Sequence, residues 1–185
     1  GNIFNYKYEI LIGNDYQGEI IEFNNKNIRV YNHKSNLGEY ENILFLLKES
    51  RGEYITFQFD DDRYSPKFFQ KIEFVLLKKP DYIFSDFEYY YDNLHTPNIE
   101  NYKIQEYSGK EFKRKFFLKS HKTMGFTGIF KKEILLNNGS IPKFCNNPFA
   151  ILSEYGLILN INDSNQITFI DEKLIFNKIH GGSFS

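Results

Sequence analysis

The sequence contains no tryptophan, one cysteine and one methionine. A single thiol, Cys145, cannot close an internal disulfide, so stability must come from a packed core, and a reducing, cytoplasmic setting is expected. No apolar run approaches the ~20 residues that span a bilayer. Glu9-Ile10-Leu11-Ile12 is too short for that or for a secretory signal. Charge of one sign is also missing: 23 Lys and Arg face 24 Asp and Glu, for a net charge of -1. That balance lacks the broad basic field of a nucleic-acid binder, so no nucleic-acid partner is expected. There is no like-charge block, internal repeat or low-complexity linker, and 185 residues are enough for a sizeable core, so one domain is expected.

What the chain has in quantity is aromatic side chains, 20 Phe and 14 Tyr, in a composition that is 41% hydrophobic and 25% charged. That composition excludes intrinsic disorder. Strand-like segments alternate with helix-like ones through the first half. Tyr8–Gly13 and Asn27–Tyr31 read as strands, Glu19–Phe23 as a short helix, and Glu41–Ser50 as a helix with Ile43, Leu44, Leu46 and Leu47 on one face. Pro66–Lys79 is a second helix, with Phe68, Ile72, Val75 and Leu76 inward, and Asp81–Tyr91 is another strand. Ser108-Gly109-Lys110-Glu111 is a capping-box signature. Phe126–Phe130 predicts a strand, Lys131–Asn137 a short helix, and Asn147 to about Asn160 a longer one. Ile167–Ile170 and Leu174–Phe176 predict two final strands. This alternation predicts an α/β fold with a mostly parallel central sheet flanked by helices and a more mixed C-terminal part.

The chain is organised around Glu53-Tyr54-Ile55-Thr56-Phe57-Gln58-Phe59-Asp60-Asp61-Asp62-Arg63. Its aromatic and β-branched residues predict a strand buried on both faces. Three carboxylates follow at the carboxyl end of that strand, where open α/β sheets bind ligands. Adjacent acids repel unless a cation or water compensates them, so the run is either a solvated turn or a metal site. Asp15 also sits just past a strand end, as a turn residue or a ligand contact. Glu154 lies in a helix, His180 in a Gly-rich tail, and Arg63 and Lys178 are cations near these segments. Tyr89-Tyr90-Tyr91 suits ring stacking on a ligand or an edge strand equally. Cys145, with no catalytic partner at a recognisable spacing, reads as structural.

Five of these pieces, in order, resemble the family 2 glycosyltransferases of the GT-A fold. They are Tyr8–Asp15; Asn36-Leu37-Gly38, with Gly38 fourteen residues before Gly52; the Asp run, with Pro66 four residues after Asp62; Met124–Glu133; and Leu174–Ser183. The resemblance implies one GT-A-like nucleotide-diphospho-sugar transferase domain over 1–185, with a nucleotide-sugar and metal half at 1–92 and an acceptor half at 93–185. It implies an inverting, metal-dependent enzyme that moves a sugar from a nucleotide-sugar, commonly a UDP-sugar, to a glycan or lipid-linked acceptor. Lipid-linked acceptors would be compatible with a peripheral membrane location. In this register Asp61 and Asp62, with His180, would hold Mn²⁺ or Mg²⁺. Asp15, Asp60, Arg63 and Lys178 would contact the nucleotide-sugar, and Glu154 would be the general base.

The sequence departs from the family pattern in four places. The opening strand and helix have no counterpart, and Asn42-Ile43-Leu44 stands where Ala-Arg-Asn is usual. Phe59 occupies the first acid of a strict Asp-x-Asp, and Ser153-Glu154 replaces the Glu-Asp base motif. These departures motivate the alternative of a non-catalytic or truncated GT-A-like binding module. A nucleotidyl or phosphoryl transferase would need a basic, Gly-rich phosphate loop near the start, and none is visible.

Overall fold

The computed structural model describes residues 6–60, 62–90, 103–121, 123, 126–137 and 153–179, without the side chains of 153–155. In chain order the elements are β1 (Ile10–Asn14), β2 (Ile28–Asn32), α1 (Glu39–Glu49), β3 (Tyr54–Thr56), β4 (Arg63–Tyr64), α2 (Phe68–Leu76), β5 (Tyr82–Tyr90), β6 (Ile104–Ser108), α3 (Gly109–Phe117), β7 (Ile129–Lys131), α4 (Lys132–Asn137), α5 (Ser153–Leu159) and β8 (Gln166–Lys178). Among the described residues no helix is long and apolar enough to cross a membrane.

The α/β class agrees with the sequence, but the sheet is mixed rather than mostly parallel. The six-stranded sheet runs β3-β7-β5-β8-β4, with β6 also on β8. Among its described strands only β5 and β8 are parallel; β7 is antiparallel to both β3 and β5, and β4 and β6 are antiparallel to β8. A second parallel pair, β1 and β2, forms its own sheet. Glu9 helps join the two sheets, because its carboxylate accepts from the Arg51 backbone N–H and the Arg29 guanidinium. Burial would raise the Glu9 pKa, but those donors outweigh it and hold the carboxyl below its ordinary value.

Two cores lie on the sheet, one rich in aromatics and one mainly aliphatic. In one, Ile43 and Leu47 of α1 meet Phe57, Tyr82, Phe84, Phe112, Phe130 and Phe169. In the other, Phe68, Ile72 and Val75 of α2 pack on Ile83, Ile129, Ile170, Leu174 and Ile175. The alternation Tyr82, Ile83, Phe84 along β5 sends successive side chains to opposite cores, as the period of a strand requires. The helical spacing expected for α1 and α2 therefore points at real cores, while Phe74 and Leu77 stay exposed.

Several boundaries differ from the sequence reading, each for a visible reason. Residues 19–23 form no helix, because Asn32 captures the backbone of Ile21 at both N–H and C=O and Asn14 takes the Glu19 carbonyl. The strand expected to be buried on both faces is only Tyr54–Thr56, half-buried at the end of the described sheet. The two final strands are one, β8, interrupted by a bulge where Ser85 pairs with Ile170 but Asp86 pairs with Lys173. The bulge is pinned by the Asp171 N–H on the Lys103 carbonyl (2.9 Å) and by a buried ion pair between Glu172 and Lys71 of α2. The Ser108 capping box forms as its signature predicts, with the Glu111 backbone donating to Ser108 Oγ and the Glu111 carboxylate accepting from the Ser108 N–H.

Asp81 clasps the sheet at the end away from the acid run. It accepts from Lys131 Nζ (3.0 Å), Asn165 Nδ2 (2.9 Å) and the Gln166 N–H (3.0 Å), joining the starts of β5 and β8 to β7. Burial pushes its pKa up, but these donors together hold it below the usual carboxylate value. A depressed folded-state pKa supplies stability above the unfolded value, ~4, and loses it as pH falls through the folded value. Asp81→Asn should therefore cost about 2 kcal/mol at neutral pH, where charge-assisted bonds are lost. Urea titrations should find that cost shrinking as pH falls through the depressed folded-state value, because the wild-type carboxyl then becomes protonated too.

Candidate functional site

The acid run lies at the opposite end of the sheet. β5 and β8 run parallel and finish together, Tyr90 beside Lys178, and β4 begins there, with Arg63 opposite Phe176. The segment from β3 to β4 is held by backbone and hydroxyl contacts. The Asp62 N–H donates to the Phe59 carbonyl at 3.3 Å, closing a turn, and Gln58 Nε2 donates to the Asp62 carbonyl at 3.3 Å. Tyr64 closes the base of the loop. Its hydroxyl donates to the Phe57 carbonyl (2.6 Å), so the 2.7 Å contact with Thr56 must have Thr56 Oγ1 as donor. The Tyr64 ring stacks on Phe68 at 4.1 Å and 3°, and burial raises the Tyr64 pKa. Phe57, just ahead of the turn, is buried against Phe126 and Phe130. The loop that carries the acids is thus anchored at both ends in the core.

Within this frame the three acids differ. Asp60 is exposed in the turn. Asp62 is 9% exposed, and both its oxygens are engaged: Oδ2 accepts from Asn177 Nδ2 at 2.7 Å and Oδ1 from the Lys178 N–H at 3.3 Å. Asp61 and His180 lie outside the described residues. Arg63 is exposed, with its guanidinium 5.8 Å from the centroid of the Tyr90 ring, close enough for a cation–π contact. The structure thus brings together Asp60, Asp62, Arg63 and Lys178. Tyr90 turns out to be buried under Arg63, whereas Tyr89 is exposed.

Asp15 sits elsewhere, at the end of β1. Its Oδ1 accepts from the Leu37 N–H at 3.2 Å, which ties it to the Asn36-Leu37-Gly38 turn. Gly38 has φ 78 and caps α1, a backbone conformation that favours glycine. Asn42, one turn into α1, donates from Nδ2 to the Gly13 carbonyl (2.9 Å), and its Oδ1 lies 3.1 Å from His33 Nε2. A Cβ at position 13 would lie 1.9 Å from that Oδ1, so glycine is what lets Asn42 approach the strand end. Glu154 belongs to α5, but its side chain lies outside the described residues.

Sequence reasoning assigned no role to Asn177, and noted Asn42 only as a departure from the family pattern. The signal for Asn177 was present, since it is a polar residue directly after the apolar run Leu174-Ile175-Phe176. Among the described residues no group of three His, Cys, Asp or Glu side chains converges as a metal site. The donor set at the turn is nonetheless of the type that hard divalent cations take. Asp60, which is exposed, and Asp62 supply hard carboxylate oxygens, the donor chemistry that Mg²⁺ or Mn²⁺ takes.

Residues 2–137 match the family model described as Glycosyl transferase family 2. The fold is similar to that of S. aureus TarS 1–349, with a TM-score of 0.69 and 13% identity, covering 95% of this chain and 53% of that one. The complex of that protein with UDP-GlcNAc gives a TM-score of 0.65 and 14% identity over 98% of this chain and 53% of the other. Its complex with UDP gives 0.66 and 12% over 96% and 54%. The chain thus spans about half the length of these structures, and at such identities the likeness establishes the GT-A-like fold alone. No curated protein sequence matches. The family match covers most of the chain, and the chain belongs to glycosyl transferase family 2.

Proposed function

We propose that the chain is the donor-binding core of an inverting, metal-dependent glycosyltransferase that takes a nucleotide-sugar, of the UDP-sugar class, and passes the sugar to a glycan or lipid-linked acceptor. The observation that carries this reading is the meeting of the acid turn with Arg63 and Lys178 at one end of the sheet. Carboxylates beside two cations suit a diphosphate better than either charge alone would. The TarS structures with UDP-GlcNAc and UDP support a nucleotide-sugar as the ligand class.

Asp61 and Asp62, with His180, would hold the Mg²⁺ or Mn²⁺, and Asp60 would contact the nucleotide-sugar. When bound, that cation supplies charge neutralisation of the departing diphosphate. Arg63 and Lys178 bind the same phosphates directly, and the stack on Tyr90 limits the directions in which Arg63 can point. Asp15, fixed on the Leu37 N–H, contacts the nucleoside. Glu154 takes the proton from the acceptor hydroxyl as its oxygen attacks the anomeric carbon from the face opposite the leaving diphosphate. One bond forms as the other breaks, and the configuration inverts.

Calorimetry with UDP, with and without Mn²⁺, tests the donor half. Wild type should bind UDP at least about tenfold more tightly with the metal, and Asp61→Ala should lose that increment, about 1.4 kcal/mol or more. Metal-independent binding, or equal binding by the two proteins, would remove the donor-site assignment and leave a non-catalytic GT-A-like module as the reading.

A further inference from the structure

We infer that Asn177 is a positioning residue of the donor site, one that holds the Asp62 carboxylate in place against the last strand and so sets the affinity of the acid turn for the metal–nucleotide ligand. The inference rests on the donor-site reading above. Asn177 is 5% exposed in β8, and its Nδ2 lies 2.7 Å from Asp62 Oδ2. An ionised carboxylate only accepts, so the amide must turn its NH₂ group toward Asp62 and its oxygen away. That oxygen, Oδ1, is buried and has no hydrogen-bond partner among the described residues.

A buried acceptor left unpaired costs about 1–3 kcal/mol. An apolar residue would avoid that cost, and Leu174, Ile175 and Phe176 precede it in the same strand. What an apolar residue cannot do is donate to Asp62. Without the amide, the 9% exposed carboxylate would lose its 2.7 Å hydrogen bond, which is shorter than the 3.3 Å bond from the Lys178 N–H. The geometry therefore puts the use of Asn177 at Asp62, and through Asp62 at the turn that begins with Asp60.

Changing the amide to an acid produces a pH signature that a general packing defect would not. The groups around the pair are Asp60 of the turn, Arg63 of β4, Lys178 of β8, and Tyr89 and Tyr90 of β5, which pair with Asn177 and Lys178. In Asn177→Asp, two carboxyl groups would face one another. At low pH one keeps a proton and still donates; at high pH both ionise and repel. UDP binding in the presence of Mn²⁺ should then stay within about threefold of wild type near pH 5.5 and fall at least about tenfold behind it by pH 8. That trend is the reverse of ordinary carboxylate–metal binding, which strengthens as protons leave.

The exchanged pair, Asp62→Asn with Asn177→Asp, restores an amide–carboxylate contact. It should recover the melting temperature while UDP affinity stays at least about tenfold weak, because the charge has moved off the turn. If Asn177→Asp fails to fold at high pH, the exchanged pair alone decides. Asn177→Asp tracking wild type at every pH, or the exchanged pair recovering both melting temperature and UDP affinity, overturns the inference. A wild type without metal-dependent UDP binding overturns the donor-site reading and this inference together. Unchanged variants of a wild type that does bind remove the inference alone.

Discussion

Glu154→Gln should lower sugar transfer by about 10²–10⁴-fold while leaving the affinity for UDP within about twofold of wild type. That loss corresponds to roughly 3–5 kcal/mol of transition-state stabilisation. The split between the two effects is what makes the variant informative. Gln keeps the length and hydrogen-bonding capacity of Glu but cannot take a proton, so a residue that only shapes the site would lose little. A general base loses its function outright, and the acceptor hydroxyl must then lose its proton to water. Single-turnover assays with a UDP-sugar and a defined glycan acceptor would read the chemical step apart from product release. The pH profile supplies a second readout. A base that must be ionised makes the wild-type rate fall as pH drops through its pKa, and that limb should disappear in the Gln variant. Transfer at the wild-type rate would remove Glu154 from the mechanism without touching the donor half.

Phe84→Ala is expected to cost about 3–5 kcal/mol of stability, a large part of the ~5–15 kcal/mol that a domain possesses. Phe84 is fully buried in the first half of β5. Its ring stacks on Phe112 of α3 (4.8 Å, 8°), lies parallel to Tyr82 (6.1 Å, 5°) and meets the edge of Phe130 (5.8 Å, 77°). Gly128 is close enough that a Cβ there would lie 2.8 Å from the same ring. The site is therefore bounded by rigid aromatic planes and backbone, which cannot collapse to fill the space of a removed ring. Guanidinium titration should find the midpoint shifted with little change in slope. Phe74→Ala, on the exposed side of α2, should cost less than about 0.5 kcal/mol and serves as the matched control.

Both predictions draw on features that differ in how far the sequence reveals them. Helical spacing was enough to identify Ile43 and Leu47 in α1, and Phe68, Ile72 and Val75 in α2, as core residues. A helix must bury whichever stripe is apolar, so periodicity alone reports the inward face. The Ser108 capping box was equally legible, because its donor and acceptor lie three residues apart. Local chemistry also placed the acid turn between Gly52 and Pro66, and the order of such segments pointed to the family. Strand pairing was not legible. β7 inserts antiparallel between β3 and β5, and β6 joins β8 across long separations, so the sheet is mixed where alternation of elements suggested parallel. Asn32 drew residues 19–21 out of a helix by contacts that a propensity reading does not contain.

The sequence by itself determined the chemistry available: three adjacent carboxylates, two nearby cations, a lone thiol, and a family pattern over most of the chain. These are properties of residue type and short spacing, and folding does not change them. Only the tertiary structure decided which of those groups act together. Asp62 and Asn177 are 115 residues apart in the chain and 2.7 Å apart in space. That contact exists because β4 runs antiparallel to the last strand in one register, Arg63 opposite Phe176. A slip of one residue would turn the amide to the other face of the sheet. Register is set by the packing of Tyr64, Phe68 and Ile175 in the core, through interactions summed over distant segments, and no stretch of the sequence read alone contains that sum.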